Sequence, residues 1–208
     1  MTVSTRSALF VLLLCMLCRA PAFASTVLEM SFGEVVERAQ LVFEGRVLGL
    51  ESRQLADGSI HTFVRFSIRD VIKGDYSQDE IELRFLGGQV GGRALHVTDM
   101  QMPELGESGI YFVESLLQSQ VHPLVGWAQG HFLLQTEANG LEVVTSAEHV
   151  PIVALEPVSP PSMQLPLSKG VAKGVLLSQG QGLLAALSRP MSVGDFKDSI
   201  RTIVAQQP

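Results

Sequence analysis

The sequence predicts a mainly β protein, an antiparallel sheet with a helix at each end. Three observations carry that reading. The stretch Leu41 to Leu86 divides into runs whose apolar residues alternate with polar ones, the period of a strand with one wet face. Turn dipeptides fall between those runs, and helix-start signals occur only near Ser31 and Ser192. Glycines inside the first run, Gly45 and Gly49, permit bulges or bends of the kind a small closed barrel needs at its corners. A β-sandwich is the alternative with the same strand count.

The chain opens with Arg6, then an apolar run from Ala8 to Leu17, then Ala22-Phe23-Ala24. This is the pattern of a signal peptide spanning residues 1–24, with cleavage expected after Ala24. The apolar run is too short to span a bilayer comfortably, which takes roughly 20 residues. A lipoprotein is not expected, because Leu17 rather than a small residue precedes Cys18. Removing the segment takes away both cysteines, Cys15 and Cys18. Disulfides, thiolate nucleophiles and cysteine zinc sites are then excluded together. It also leaves 13 basic residues against 21 acids, a net charge of −8 over 184 residues. An acidic exported chain is a poor partner for nucleic acid or for anionic membrane surfaces. The expected location is periplasmic or secreted, with no transmembrane segment after cleavage.

A barrel domain is expected over residues 25–147. Ser31 and Glu34 form a capping-box pattern, and Met30 can staple to Val35, so a short helix starts at Phe32 and ends near Gln40. Val35, Val36 and Ala39 would face the sheet. The first strand sets Leu41, Phe43 and Val47 against Val42, Glu44 and Arg46; Asp57-Gly58 turns the chain into the second. There Ile60, Val64, Phe66 and Ile68 share one parity, and His61, Phe63, Arg65, Ser67 and Arg69 the other. Lys73-Gly74-Asp75 marks the next turn. In the third strand Ile81, Leu83 and Phe85 alternate strictly with Glu80, Glu82 and Arg84, and the two glutamates are expected to pair with the basic face of the second strand.

The hexapeptide Gly87-Gly88-Gln89-Val90-Gly91-Gly92 lacks the lysine-serine ending and the following helix of a phosphate loop. It reads instead as a β-connection, with Gly88, Gln89, Val90 and Gly91 as a candidate partner-binding loop. Further strands are expected at Arg93 to Val97, Gly109 to Glu114, Val125 to Thr136 and Leu141 to Thr145, the last two joined at Asn139-Gly140 by a type I′ turn. Six prolines between Glu148 and Pro190 mark residues 148–190 as a linker or as extended chain lying over the barrel. Within it, Val171 to Leu177 can dock as a strand and Leu183 to Leu187 as a short helical turn. Residues 191–208 complete the chain as a helix capped by Ser192, with Val193, Phe196, Ile200, Ile203 and Val204 on its apolar face.

The segments LVFEGRVLGLES from Leu41, FVRFSIRDVIKGD from Phe63, the double-glycine loop, Pro103-Glu104-Leu105-Gly106-Glu107 and GWAQGHF from Gly126 resemble a family of small exported bacterial proteins. That family's core is similar to an OB-like antiparallel barrel, the architecture of the tissue inhibitors of metalloproteinases. The resemblance covers about Ser31 to Thr136. It implies a binding module that engages another protein, an exported protease among the options. The animal inhibitors chelate a protease zinc through an N-terminal cysteine, and a cleaved chain without cysteine cannot do so.

No catalytic or metal signature stands out. The five histidines, His61, His96, His122, His131 and His149, show no helical ligand spacing and no His-Glu-x-x-His pattern. Gly-x-Ser-x-Gly is absent, and no cofactor is implied. Phe63 between His61 and Arg65 is a candidate contact on an otherwise polar face, unless the C-terminal segment covers it. The expected function is a non-enzymatic exported module binding an envelope or secreted protein. A hydrolase with an unrecognised carboxylate or histidine site, and a structural envelope protein, are the alternatives.

Overall fold

The computed structural model describes residues 27–156, 166–167, 170–178 and 189–207. The expected signal segment, residues 1–24, and the helical turn expected over Leu183 to Leu187 lie outside the described residues. The chain runs β1 (Val27–Leu28), α1 (Phe32–Arg38), β2 (Leu41–Gln54), β3 (Ile60–Lys73), β4 (Glu80–Leu86), β5 (Gly88–Val90), β6 (Arg93–Leu95), β7 (Ser108–Val113), β8 (His131–Thr136), β9 (Glu142–Ser146), β10 (Ile152–Leu155), β11 (Pro166–Leu167), β12 (Val175–Leu177) and α2 (Val193–Ala205).

Six strands form one antiparallel sheet in the order β4-β3-β2-β7-β8-β9. Mainly β architecture with a helix at each end is therefore present. The sheet does not close on itself: β4 and β9 are its two edges, and no pairing joins them among the described residues. An open barrel or a sandwich-like sheet describes it better than a closed barrel. The bends sit where the register shifts along the β2–β3 pair, with Arg69 and Ile72 extra on β3 and Leu48 extra on β2.

Both faces of the sheet are buried near its centre. Leu41, Phe43, Val47, Val64, Phe66, Ile81, Leu83, Phe85, Tyr111, Val113 and Leu124 fill the inner face. On the outer face Val42, Ile110, Phe112 and Phe132 meet α1 and α2. The capping box is formed: Glu34 N–H donates to Ser31 Oγ at 3.3 Å, and Ser31 N–H donates to Glu34 Oε2 at 2.8 Å. At the other end of α1, Lys73 Nζ donates to the carbonyls of Val36 (2.6 Å) and Glu37 (2.9 Å), satisfying acceptors the helix leaves open.

The apolar face of α2 packs on this same outer core. Phe196 lies 5.5 Å from Phe32 and 5.0 Å from Phe132, ring centre to ring centre. An ionic cluster flanks that contact. The Glu44 carboxylate, only 4% exposed, takes Arg69 at 2.9 Å and Lys197 at 2.8 Å, and Lys197 also reaches Asp70 at 2.8 Å. Arg201 pairs with Asp70 at 2.9 Å. Burial pulls the Lys197 ammonium down, but Asp70 and Glu44 outweigh it and hold the group above its usual range.

The stretch after Glu148 contributes to the fold. β10 and β12 pair with each other, and Ile152, Ala172 and Val175 join the outer core, so extended chain over the sheet holds for residues 151–156 and 170–178. Val125 to Thr136 is not one strand, since Trp127–Gly130 forms a 3₁₀ turn before β8. The hairpin turns at Asp57-Gly58 and Asn139-Gly140 share one design. Leu55 and Glu137 N–H bond to Ser59 and Leu141 C=O, and Gly58 and Gly140 each take φ +84°. Asn139 keeps negative φ, so the turn is a three-residue loop ending in a glycine bulge rather than type I′.

Truncating Phe196 to Ala removes the aromatic bridge between α2 and the sheet. The expected cost is about 3–5 kcal/mol, and each kcal/mol lowers the melting temperature by roughly 2–4 °C. Thermal unfolding followed by circular dichroism measures it, and a shift within error would show that α2 is not fixed by this contact.

Candidate interaction surface

The helices cover only part of the outer face. α2 contacts the beginning of β2 and the end of β3, at Glu44 and Asp70, whereas the far halves of β2 and β3 and all of β4 extend past it. Each of these two strands is 14 residues long, roughly 46 Å at a strand's rise per residue. In this open half, Glu51 and Arg53 of β2 lie opposite Phe63 and His61 of β3, and Phe63 and Arg65 lie opposite Arg84 and Glu82 of β4.

Phe63 is half-buried, and among the described residues Arg53 covers it, its guanidinium 4.5 Å above the ring centre. Arg53 also holds Glu51 and approaches Glu82 at 3.7 Å. Arg65 stands 3.8 Å from Glu80, which realises the expected pairing of β3 with β4; Arg69 turns away to Glu44. These exposed pairs are worth roughly 0–1 kcal/mol each. His61 is not part of an open surface. It is 8% exposed, its Nε2 lies 3.1 Å from Ser59 Oγ, and burial with Arg84 nearby depresses its pKa.

The glycine hexapeptide folds as a small hairpin, β5 against β6, with Gly91 and Gly92 at its tip. It packs on the opposite side of the sheet from Phe63. Thr62 Oγ1 donates to Gly87 C=O at 2.8 Å and lies 3.0 Å from Ser52 Oγ. A Cβ on Gly88 would stand 2.4 Å from Ser52 Oγ and 2.5 Å from Thr62 Oγ1, and its φ of +130° belongs to glycine. The structure therefore separates the two candidate contact regions. Phe63 and Arg65 share the outer face, while Gly88, Gln89, Val90 and Gly91 form a hairpin behind it, with Gln89 exposed.

The edge of the sheet next to Phe63 carries a feature that side-chain patterning does not reveal. Gly87 N–H donates to Ile60 C=O and Ile68 N–H to Asp79 C=O, so the odd-numbered residues of β4 direct their main chain toward β3. Even-numbered residues direct theirs outward. Leu86 N–H is used by Val121 C=O, and Glu80 C=O accepts from Tyr76 OH. Between them the N–H and C=O groups of Glu82 and Arg84 face a groove of about 370 Å³, walled on its far side by Ser115 to Gln120. Among the described residues no hydrogen bond reaches these four groups. The opposite edge, β9, is sealed: Val144 N–H donates to Met191 C=O, and Pro151 and Ser192 bridge to Thr145 and Val143.

One cluster of acid–base groups lies elsewhere, beside a cleft of about 900 Å³. Glu107 Oε1 accepts from Tyr111 OH at 2.8 Å and from His131 Nε2–H at 2.7 Å, while His131 stacks on Tyr111. Burial would raise the Glu107 pKa, but the His131 and Tyr111 hydrogen bonds and the His131 charge prevail and lower it. Burial and the Glu107 carboxylate push the Tyr111 phenol up. His131 Nδ1 is buried, and among the described residues no hydrogen-bond partner reaches it. This cluster ties the Glu104–Glu107 loop to β7 and β8. Behind it His122 is enclosed, with Phe85 edge-on and Trp127 stacked; Nδ1 accepts from Leu124 N–H and Nε2 donates to Gln101 C=O. Among the described residues no group of three or more His, Cys, Asp or Glu side chains could hold a metal ion. No helix there is long and apolar enough to cross a membrane. Compared with protein-family models, curated proteins and solved structures, the chain matches none.

Two pH windows follow from these buried groups. Burial lowers the His122 pKa from 6.5 to about 4. Unfolding then releases a histidine that binds protons between those values, so stability is full above about pH 6.5 and falls toward pH 4, by up to about 3 kcal/mol. The Glu107 contribution is present above its unfolded value of 4.5 and is lost as pH falls below it. In urea titrations at stepped pH, His122→Gln should flatten the upper window and Glu107→Gln the lower. Unchanged slopes would remove the assignment.

Proposed function

We propose that the protein is a non-enzymatic exported binding module whose partner is another protein of the cell envelope or exported fraction. The observation that carries this reading is the half of the outer face that no described helix covers, where Phe63 and Arg53 form an aromatic–cation pair flanked by Glu51, Arg65 and Glu82. An aromatic ring and a guanidinium side by side on a rigid sheet are the residue types that dominate protein interfaces. The net charge argues against nucleic acid as the ligand. The leader-like first 24 residues support export, and the resemblance to small exported proteins points to a protein partner, with an exported protease as one class to test.

The hydrolase reading draws its support from the Glu107–His131 pair beside a cleft of about 900 Å³. It is the weaker one, because no nucleophile hydrogen-bonds to that histidine among the described residues.

Tagged full-length protein used as bait in the host's exported fraction should retain one dominant partner at near-equal amount. Phe63→Ala and Arg53→Glu should each reduce that capture at least about tenfold, the loss expected of a buried interface anchor, with the melting temperature nearly unchanged. Glu107→Gln should leave it intact. Capture unaffected by either outer-face change, or turnover abolished by Glu107→Gln, would displace the proposal.

A further inference from the structure

We propose that the free edge of β4 pairs with β4 of a second copy of this chain, antiparallel about a two-fold axis at Leu83. The edge adjoins the Phe63 face and shares Glu82 with it, but self-association is read by charge reversal on β4 and capture by the Phe63 and Arg53 changes, so either inference can fail without the other.

The register follows from the main chain. Only even-numbered residues of β4 point their N–H and C=O groups outward, and of these Glu80 C=O and Leu86 N–H are already engaged. A symmetric antiparallel pair can centre on residue 82, 83 or 84. Centring on 82 sets Glu82 against its own copy and needs the occupied Glu80 carbonyl. Centring on 84 opposes Arg84 with Arg84 and needs the occupied Leu86 N–H. Centring on Leu83 opposes Glu82 with Arg84 of the second copy, twice by symmetry. Its hydrogen bonds come from the four unengaged groups on each copy's Glu82 and Arg84, four in all, and the pairing ends there, because Glu80 and Leu86, which the same axis sets opposite each other, are held by Tyr76 and Val121.

The side chains agree with that choice. Opposite charges directly across a strand pair stabilise it, and like charges in the two rejected registers oppose it. On the inner side Ile81, Leu83 and Phe85 are already buried in their own core, so the outer-face charges carry the choice of register. Beside the groove stands Leu117, 90% exposed, the most exposed large apolar side chain among the described residues. The sealing of β9 leaves β4 as the edge with main-chain groups to offer.

The test is sedimentation of the full-length protein from ~1 µM to ~1 mM, the range suited to an interface this small. The wild type should show a reversible dimer. E82R places arginine against Arg84 and R84E places glutamate against Glu82, so each single change should weaken self-association at least about tenfold. The double variant E82R/R84E restores opposite charges and should dimerise again. Mixing the two single variants should produce a heterodimer, since each supplies the charge the other lacks. A wild type monomeric throughout would overturn the proposal and leave the edge charges as guards against aggregation. Dimers indifferent to the single reversals, or a double variant that does not recover, would overturn it equally. So would a monomer whose edge takes a synthetic peptide copying Glu80–Leu86.

Discussion

The pairing of β2 with β7 is the contact on which the rest of this architecture depends. Leu41 lies opposite Val113, Val42 opposite Phe112, Phe43 opposite Tyr111 and Glu44 opposite Ile110. Alternate pairs fill two different cores. Phe43 and Tyr111 belong inside the curved sheet, and Val42 and Phe112 lie under the helices. A slip of one residue would exchange the two sets, moving Tyr111 with its hydroxyl into the helix-covered core and Ile110 out of it. Burial on both faces thus fixes the register far more firmly than alternation against solvent could. The edges, where one face is wet, are held by local turns instead.

Glu44 shows how the helical layer is oriented on that foundation. A carboxylate this buried is tolerated only with hydrogen-bonded cations, and it has two, from β3 and from α2. Removing Lys197 or Arg69 alone would leave part of the charge uncompensated. The ion cluster adds directionality to an apolar contact that by itself would permit α2 to rotate or slide along the sheet. Phe196 supplies the adhesion and Lys197, its neighbour in sequence, supplies the alignment.

Much of the local structure was legible from residues close together in the chain. Ser31 with Glu34, Asp57-Gly58, the Glu80–Phe85 alternation and the apolar face beginning at Val193 all act over a few positions, and the structure contains each of them. Properties set by distant partners were not legible. Glu44 looks like an outward residue until Lys197 arrives to bury it. Asn139-Gly140 announced a turn, but the flanking strands selected a bulged three-residue loop. Trp127 sits in an apolar run resembling a strand, yet Gly126 and Trp127 both adopt positive φ and begin a 3₁₀ turn. The candidate surface was half visible: Phe63 and Arg65 were on one parity, but Arg53 came from another strand and the glycine hairpin turned behind the sheet. The free main-chain groups of β4 carry no mark in side-chain pattern at all.

The outer core is closed by groups drawn from both ends of the chain. Phe32 N–H donates to Lys173 C=O, Lys173 N–H to Met30 C=O, and Gln129 holds the main chain at Met30 and Leu28. Glu44 and Lys197 are separated by 153 positions. A polypeptide made from its N-terminus forward can therefore form the β2–β3–β4 meander early, from near neighbours, but leaves α1 without its cover until almost the last residue has been synthesised. Assembly is then ordered in time: a local hairpin unit first, and a late, whole-chain closure that depends on long-range contacts and is correspondingly slow. Any chain cut short before α2 would present Phe32, Phe112 and Phe132 uncovered, the signature by which quality-control machinery distinguishes an unfinished protein from a finished one.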